Sequence, residues 1–216
     1  MLPSRFPDPR RARGDIVAVG EDFSVETLRD AYRHGIFPWP HDELDTLPWF
    51  SPRRRAVIIF DELHVGRTLR KAMKRPGLSF TIDRDFEAVI RACSLAPRPD
   101  QDGTWIGPEM IEAYIEFHKS GDAHSVEVWQ EGELAGGLYG VDSGGVFTGE
   151  SMFHRASDAS KLALLFLIEH LQSRRCTWLD CQVMTPHMEA LGAREIARSK
   201  FLDRLAAAQA TNVPLF

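Results

Sequence analysis

Cysteine is scarce in this chain and does not pair: Cys93, Cys176 and Cys181 are odd in number and show no CxxC spacing. A disulfide framework is thereby excluded, and free thiols in a reducing cytoplasm are the expectation. No apolar run reaches the ~20 residues that cross a bilayer. The stretch from Met1 to Arg13 is rich in proline and arginine and lacks the apolar centre of a signal peptide, so a soluble, cytoplasmic protein with no membrane partner is expected. Internal repeats and low-complexity tracts are absent. Histidine offers no metal set either: His118 and His124 lie six apart, and no pair has i, i+4 ligand spacing beside an acid, so no metal or other cofactor is expected. Excess positive charge is missing too: 26 Lys and Arg face 31 Asp and Glu, a formal charge of -5, which leaves room only for a local basic patch.

What remains is ordinary globular material. Apolar residues make up 44% and charged ones 26% of 216 residues, enough for a full core and for one domain or one and a half. After an extended arm over the first fourteen residues, Ser24 and Gly35 bracket a short helix as N-cap and C-terminal left-handed residue. Two aromatic and proline clusters follow, Ile36 to Pro40 and Pro48 to Pro52. Their Trp39 and Trp49 can stack on a base, wall an apolar pocket, or plug the junction between two lobes. Farther on, the pattern predicts a strand over 54–60, helices over 63–75, 85–94 and 108–120, and strands over 80–83, 124–129 and 133–141. A loop over 96–103 joins the second and third of these helices. His118 falls on the apolar stripe of the helix over 108–120, with Ile111, Tyr114 and Ile115. The last part comprises a strand over 145–153, a helix from Ser157 opened by capping residues, a strand over 177–183 and a closing helix over 199–209. That order is α+β, not the strict alternation of a doubly wound sheet.

Polar residues inside this apolar frame mark a candidate site. Glu150 stands in the strand end Gly145 to Phe153, next to Phe147, Met152 and Phe153. On the strand Thr177 to Val183, simple alternation puts Asp180 and Gln182 on one face and turns Cys181, a conceivable nucleophile, to the other. Each polar residue alone has a structural explanation, as a helix cap, a partner for an arginine such as Arg155, or a bond to a backbone group. Together, on strands expected to be neighbours, they outline a polar cleft.

A second signal is electrostatic. Between Arg53 and Arg75 stand eight basic residues (Arg53, Arg54, Arg55, Arg67, Arg70, Lys71, Lys74, Arg75) against Asp61 and Glu62. Arg67, Arg70, Lys71 and Lys74 follow i, i+3, i+4, i+7 spacing, which stacks like charges on one helical face at a few tenths of a kcal/mol per pair. In an acidic chain, such a local inversion suits contact with a nucleic-acid backbone, although a solvated surface helix produces the same pattern.

Several motifs together carry a resemblance: Gly35-Ile-Phe-Pro-Trp39, Trp49-Phe-Ser-Pro52, Gly103-Thr-Trp-Ile106, His124 to Trp129, Gly137-Leu-Tyr-Gly140, Gly149-Glu-Ser-Met-Phe153 and Asp180-Cys-Gln182. In this order they resemble the bacterial leucyl/phenylalanyl-tRNA protein transferase family over nearly the whole chain. The resemblance implies a small N-terminal domain, here 1–60, and a GNAT-like acyltransferase domain with a mixed sheet, here 61–216. It also implies an activity: Leu or Phe, with Met as a further donor, passes from aminoacyl-tRNA to proteins beginning with Arg or Lys and marks them for degradation. A monomer is expected.

By the same resemblance, Asp180, Gln182 and Glu150 form the catalytic group, and Trp39, Trp105, Tyr114, Leu138, Phe147, Ser151, Leu164, Leu167 and Thr185 bind substrate. Arg67, Arg70, Lys71, Lys74 and Arg75 hold the tRNA. Glu150 and Asp180 would attract the cationic acceptor terminus, and the family proposal gives the base role to the Gln. A carboxamide has no proton affinity near neutral pH, so Gln182 reads more easily as an orienting partner. The chain departs from the family at Phe50, where a second Trp is usual, and at Leu138, where Met is usual; both changes keep an apolar residue.

Two other functional classes compete with this one. An acetyl-CoA enzyme needs a Gly-rich turn at a helix N-terminus for the pyrophosphate, and no glycine occurs between Gly149 and Gly192. A non-catalytic RNA-binding module accounts for the basic stretch and the tryptophans but leaves Glu150, Asp180 and Gln182 without a purpose.

Overall fold

A computed structural model describes residues 4–20, 22–41, 45–97 and 104–216; the first three residues of the arm and the loop over 98–103 lie outside it. In chain order the elements are β1 (Ile16–Val19), α1 (Val25–Arg33), β2 (Phe37–Pro38), β3 (Pro48–Phe50), β4 (Arg54–Ile59), α2 (Arg67–Ala72), β5 (Leu78–Ile82), α3 (Phe86–Ser94) and α4 (Pro108–Lys119). They continue with β6 (Ala123–Gln130), β7 (Glu133–Asp142), β8 (Phe147–His154), α5 (Ala159–Ser173), β9 (Trp178–Gln182), α6 (Pro186–Ala190), β10 (Arg194–Ala197) and α7 (Arg198–Gln209).

Strands β1-β3-β2 form a small sheet, and β10-β4-β9-β8-β7-β6-β5 form a seven-stranded one. Within the larger sheet every neighbouring pair is antiparallel except β8 and β9, which run parallel and share the single register pair Thr148 with Asp180. The architecture is therefore α+β, as the element order predicts, with the mixed sheet that the resemblance implies. Strand β4, placed by sequence in the small N-terminal unit, is hydrogen-bonded between β10 and β9 in the large sheet.

Apolar side chains alternate across that sheet and feed three clusters, one of which joins Val57, Ile59 and Trp178 to Phe201, Leu202 and Leu205 of α7. On β7, Leu138 belongs to the cluster of Val126, Val128 and the α5 residues Leu164 and Leu167, whereas its neighbour Tyr139 belongs to the one formed with α1, α3 and α4, in ring contact with Phe86 and Tyr114. Helix α5 is buried on most sides through Leu162 to Leu165, Leu167 and Ile168, as its apolar run predicts. Its start differs from expectation. The N-cap, Asp158, sits in the left-handed region at φ 67 and makes no side-chain capping bond. By contrast, Ser24 caps α1 by accepting from the Thr27 N–H. Gly35 then turns the chain at φ +71 with Phe201 and Leu202 so close that a Cβ would meet them at 2.7 and 2.8 Å.

The basic helix is shorter than its charge pattern suggests. Helix α2 covers only Arg67 to Ala72, so Lys74 and Arg75 lie in the turn beyond it. Pro76 disfavours helical geometry at Arg75, and Gly77 takes φ +80, which together end the helix early. Trp49 is fully buried against Phe6 and donates its indole N–H to the Gly20 carbonyl at 2.6 Å, so it is core and not a base-stacking surface.

Candidate active site

The two parallel strands diverge beyond Thr148 and Asp180, and each carries a bulge there. On β8, Gly149 faces Gly140 and Ser151 faces Tyr139, which leaves Glu150 as the extra residue. On β9, Asp180 faces Val57 and Gln182 faces Ala56, which leaves Cys181 as the extra one. Bulges bend a strand and re-aim its side chains. Here they break the simple alternation expected from the sequence and turn Glu150 and Gln182 toward one another across the gap.

Gln182 occupies the centre of a tight turn, with φ 61 and the Val183 N–H donating to the Cys181 carbonyl at 2.7 Å. A non-glycine residue in this conformation costs ~1 to 3 kcal/mol, and such strain collects at functional positions. The Asp180 carboxylate stabilises the turn: its Oδ1 accepts the Gln182 N–H at 2.9 Å. From this position Gln182 donates its side-chain Nε2 to Glu150 Oε1 at 2.5 Å.

Asp180 is 0% exposed, and its charge is already matched. Arg55, 1% exposed, donates Nε to Oδ1 at 2.8 Å and Nη2 to Oδ2 at 2.6 Å, and Thr148 Oγ1 adds a bond to Oδ2 at 3.1 Å. Two expectations are corrected by this geometry. Asp180 does not present a free charge for an incoming ammonium, because a buried guanidinium is bidentate on it. Arg55 in turn does not belong to an exposed basic surface; only its place in the sequence puts it there.

Glu150 is 8% exposed. Burial pushes its carboxyl up to about 8, with the Asp180 charge adding to the rise and Tyr32, Arg55 and Gln182 opposing it. Its Oε2 has no hydrogen-bond partner of normal geometry. Behind it the hydroxyls of Tyr32 and Tyr114 bond to each other, and burial, followed by the Glu150 charge, holds both phenols well above their ordinary value. Cys181 is no better as a nucleophile than alternation suggested, because burial followed by the Asp180 charge raises its thiol far above the neutral range.

Glu150, Asp180, Cys181 and Gln182 line a cavity of about 950 Å³. Its apolar walls include Trp39, Trp105, Leu138, Phe147, Leu164 and Leu167, with Ser151 and Thr185 as polar lining and Glu150, Asp180 and Gln182 on one side. Thus the cavity brings together every residue expected in the site except Tyr114, which is fully buried in the layer behind Glu150. Met152 and Phe153 also line it, as the strand pattern suggests. His154, Lys161 and His187, not singled out on sequence, line it as well, and burial, then the charges of Lys161 and His154, lowers the His187 pKa.

The sequence also misses Tyr32, Thr148 and Arg55. Tyr32 and Tyr114 are 82 residues apart, and Arg55 and Asp180 are 125 apart, so no local signal pairs them. Away from the cavity, Arg67, Arg70, Lys71, Lys74 and Arg75 are all exposed, and no carboxylate among the described residues lies within ion-pair distance of them.

Comparison with known proteins gives the family of the chain. A family model described as "Leucyl/phenylalanyl-tRNA protein transferase" matches residues 57–206, and one described as that family's N-terminal domain matches residues 21–53. The leucyl/phenylalanyl-tRNA protein transferase of Pseudomonas fluorescens (strain Pf0-1) is 50% identical over 204 residues, covering 93% of this chain and 89% of that one. That of Chromohalobacter salexigens is 52% identical over 190 residues, covering 88% and 73%. Among solved structures, a GCN5-related N-acetyltransferase from Kribbella flavida aligns at 13% identity and a TM-score of 0.40, over 78% of this chain and 59% of that one. With two family models covering residues 21–53 and 57–206 and relatives half-identical over most of its length, the chain belongs to the leucyl/phenylalanyl-tRNA protein transferase family.

Proposed function

We propose that this protein transfers leucine or phenylalanine, with methionine as a further donor, from aminoacyl-tRNA to the α-amino group of proteins beginning with Arg or Lys, and so marks them for degradation. The observation that carries the reading is the Glu150–Gln182 pair on the wall of an apolar cavity, in a chain half-identical to named transferases. The protein acts in the cytoplasm as a monomer and needs no cofactor. Its small N-terminal unit, 1–60, is the part that meets the family's N-terminal-domain model, over residues 21–53.

The donor is an activated ester, so the protein's task is to place it and to manage the two protons that the acceptor ammonium gives up. The aminoacyl side chain enters between Trp39, Trp105, Leu138 and Leu164, an apolar wall that favours Leu and Phe over charged side chains. Discrimination between the two is modest, since a methylene is worth ~1 to 3 kcal/mol. The acceptor arrives as an α-ammonium of pKa near 8. A carboxylate with a pKa of about 8 matches it, so Glu150 takes the proton with little net cost in free energy. The neutral amine attacks the ester carbonyl, the new C–N bond forms as the C–O bond breaks, and the second proton lost by the attacking nitrogen passes to the departing ribose oxygen, so the tRNA leaves with its hydroxyl restored. Gln182 holds Glu150 through its amide and has no need to be a base itself. Arg67, Arg70, Lys71, Lys74 and Arg75 contact tRNA phosphates, a sequence-independent grip that suits many tRNAs.

The test is transfer of radiolabelled Leu from Leu-tRNA to a peptide beginning with Arg, run beside the same peptide acetylated at its N-terminus. Labelled product from the free peptide alone supports the reading. Salt-sensitive tRNA binding without product sinks it and favours an RNA-binding module.

A further inference from the structure

The Arg55 side chain belongs to β4, yet it meets three other parts of the molecule. Its fork is bidentate on Asp180, its Nη1 donates to the Gly35 carbonyl at 3.2 Å, and its guanidinium lies 4.7 Å from the Phe37 ring centroid and 4.4 Å from that of Phe201. Gly35 and Phe37 lead directly to Trp39, the cavity wall. Asp180 carries the influence the other way, since the oxygen that accepts Arg55 Nε also accepts the Gln182 N–H in the strained turn. Gln182 then bonds Glu150.

Resting on the proposed transfer reaction, we infer that Arg55 is a positioning residue for it: the guanidinium fixes the Asp180 carboxylate, which holds Gln182 in its turn and thereby sets the reach of Gln182 to Glu150. Stability alone is a poor reason for such a group, because a buried ion pair can often be exchanged for apolar residues of similar volume without loss. Geometry is the better reason. Only a planar fork with several donors can engage both carboxylate oxygens and a backbone carbonyl at once, which a lysine ammonium cannot do. The contacts to Gly35 and Phe37 anchor the guanidinium from its other side, while Trp39 on the donor wall keeps its own ring contacts with Phe37 and Phe50.

Arg55→Lys and the double variant Arg55→Met/Asp180→Asn test this, with melting temperature measured first and then kcat and KM for both substrates. Displacing Gln182 by about an ångström is expected to lower kcat on the order of 100-fold in each folded variant. KM for Leu-tRNA should stay within about threefold, the split that separates a positioning role from weakened substrate binding. A folded Arg55→Lys protein with kcat close to wild type overturns the inference, as does an effect carried by KM alone. Failure of both variants to fold also overturns it, since Arg55 is then architectural. The wild-type protein, assayed alongside, separates this inference from the reading beneath it. No transfer by the wild type sinks the donor and acceptor assignment, whereas transfer by wild type and Arg55→Lys alike sinks only the role of Arg55.

Discussion

Glu150 Oε1 and Gln182 Nε2 are 2.5 Å apart, joined across two strands that run parallel and then diverge. The bond depends on side-chain length as well as on the strained turn. Asn at position 182 tolerates the left-handed conformation at least as well as Gln but is one methylene too short to keep the bond. Gln182→Asn is therefore expected to keep its melting temperature to within a few degrees and to lose about 100-fold in kcat. An unchanged kcat in peptide transfer counts against the orienting role.

The raised pKa of Glu150 links activity and stability to pH in opposite directions. As proton acceptor, Glu150 works only when ionised, so kcat should rise with pH and level off above about 8. Stability behaves the other way. Between the ordinary value of 4.5 and about 8 the unfolded chain is ionised at this position while the folded one keeps its proton, so unfolding releases a proton and stability falls as pH rises through that window. Glu150→Gln removes both effects. Above pH 8 the variant should be more stable, by an amount on the order of a few kcal/mol, and nearly inactive. Melting curves at two pH values and a pH–rate profile check both parts.

Leu164 is buried on α5 and lines the cavity. Truncating it to Ala is expected to cost about 2 to 5 kcal/mol of stability and to enlarge the donor pocket. The larger ring of Phe loses less than Leu by that change, so the ratio of kcat/KM for Phe-tRNA over Leu-tRNA should rise about tenfold. Competition between the two charged tRNAs measures it.

The exposed residues Arg67, Arg70 and Lys71 of α2 should act on binding alone. Replacing all three by Ala is expected to raise KM for aminoacyl-tRNA and to flatten its salt dependence, by about 0.7 to 0.9 in the log–log slope for each phosphate that is no longer neutralised. With saturating tRNA, kcat should be unchanged. A lower kcat at an unchanged salt slope would argue that these cations serve the fold and not the tRNA.

Much of the architecture was legible without coordinates, because local signals suffice where periodicity and turn chemistry are strong. The cap at Ser24, the left-handed Gly35 and the apolar run on α5 set element type from neighbours in sequence. The same local logic failed at α2, where Pro76 and Gly77 outweighed a long charge pattern, and it left Trp49 open between surface and core, a choice settled by its packing against Phe6 and Phe23. The identities of Glu150, Asp180 and Gln182 as polar residues in apolar strands were plain from sequence alone. What they do to one another was not. Two bulges, which shift register by a single residue, aim Glu150 at Gln182, and the partner that neutralises Asp180 comes from a strand 125 residues away. Residue identity by itself determined which groups this protein has to work with, since side-chain chemistry is local; only the tertiary structure decided which charge is matched and which carboxyl is buried and near neutral, because desolvation and pairing depend on what long-range packing brings within a few ångströms.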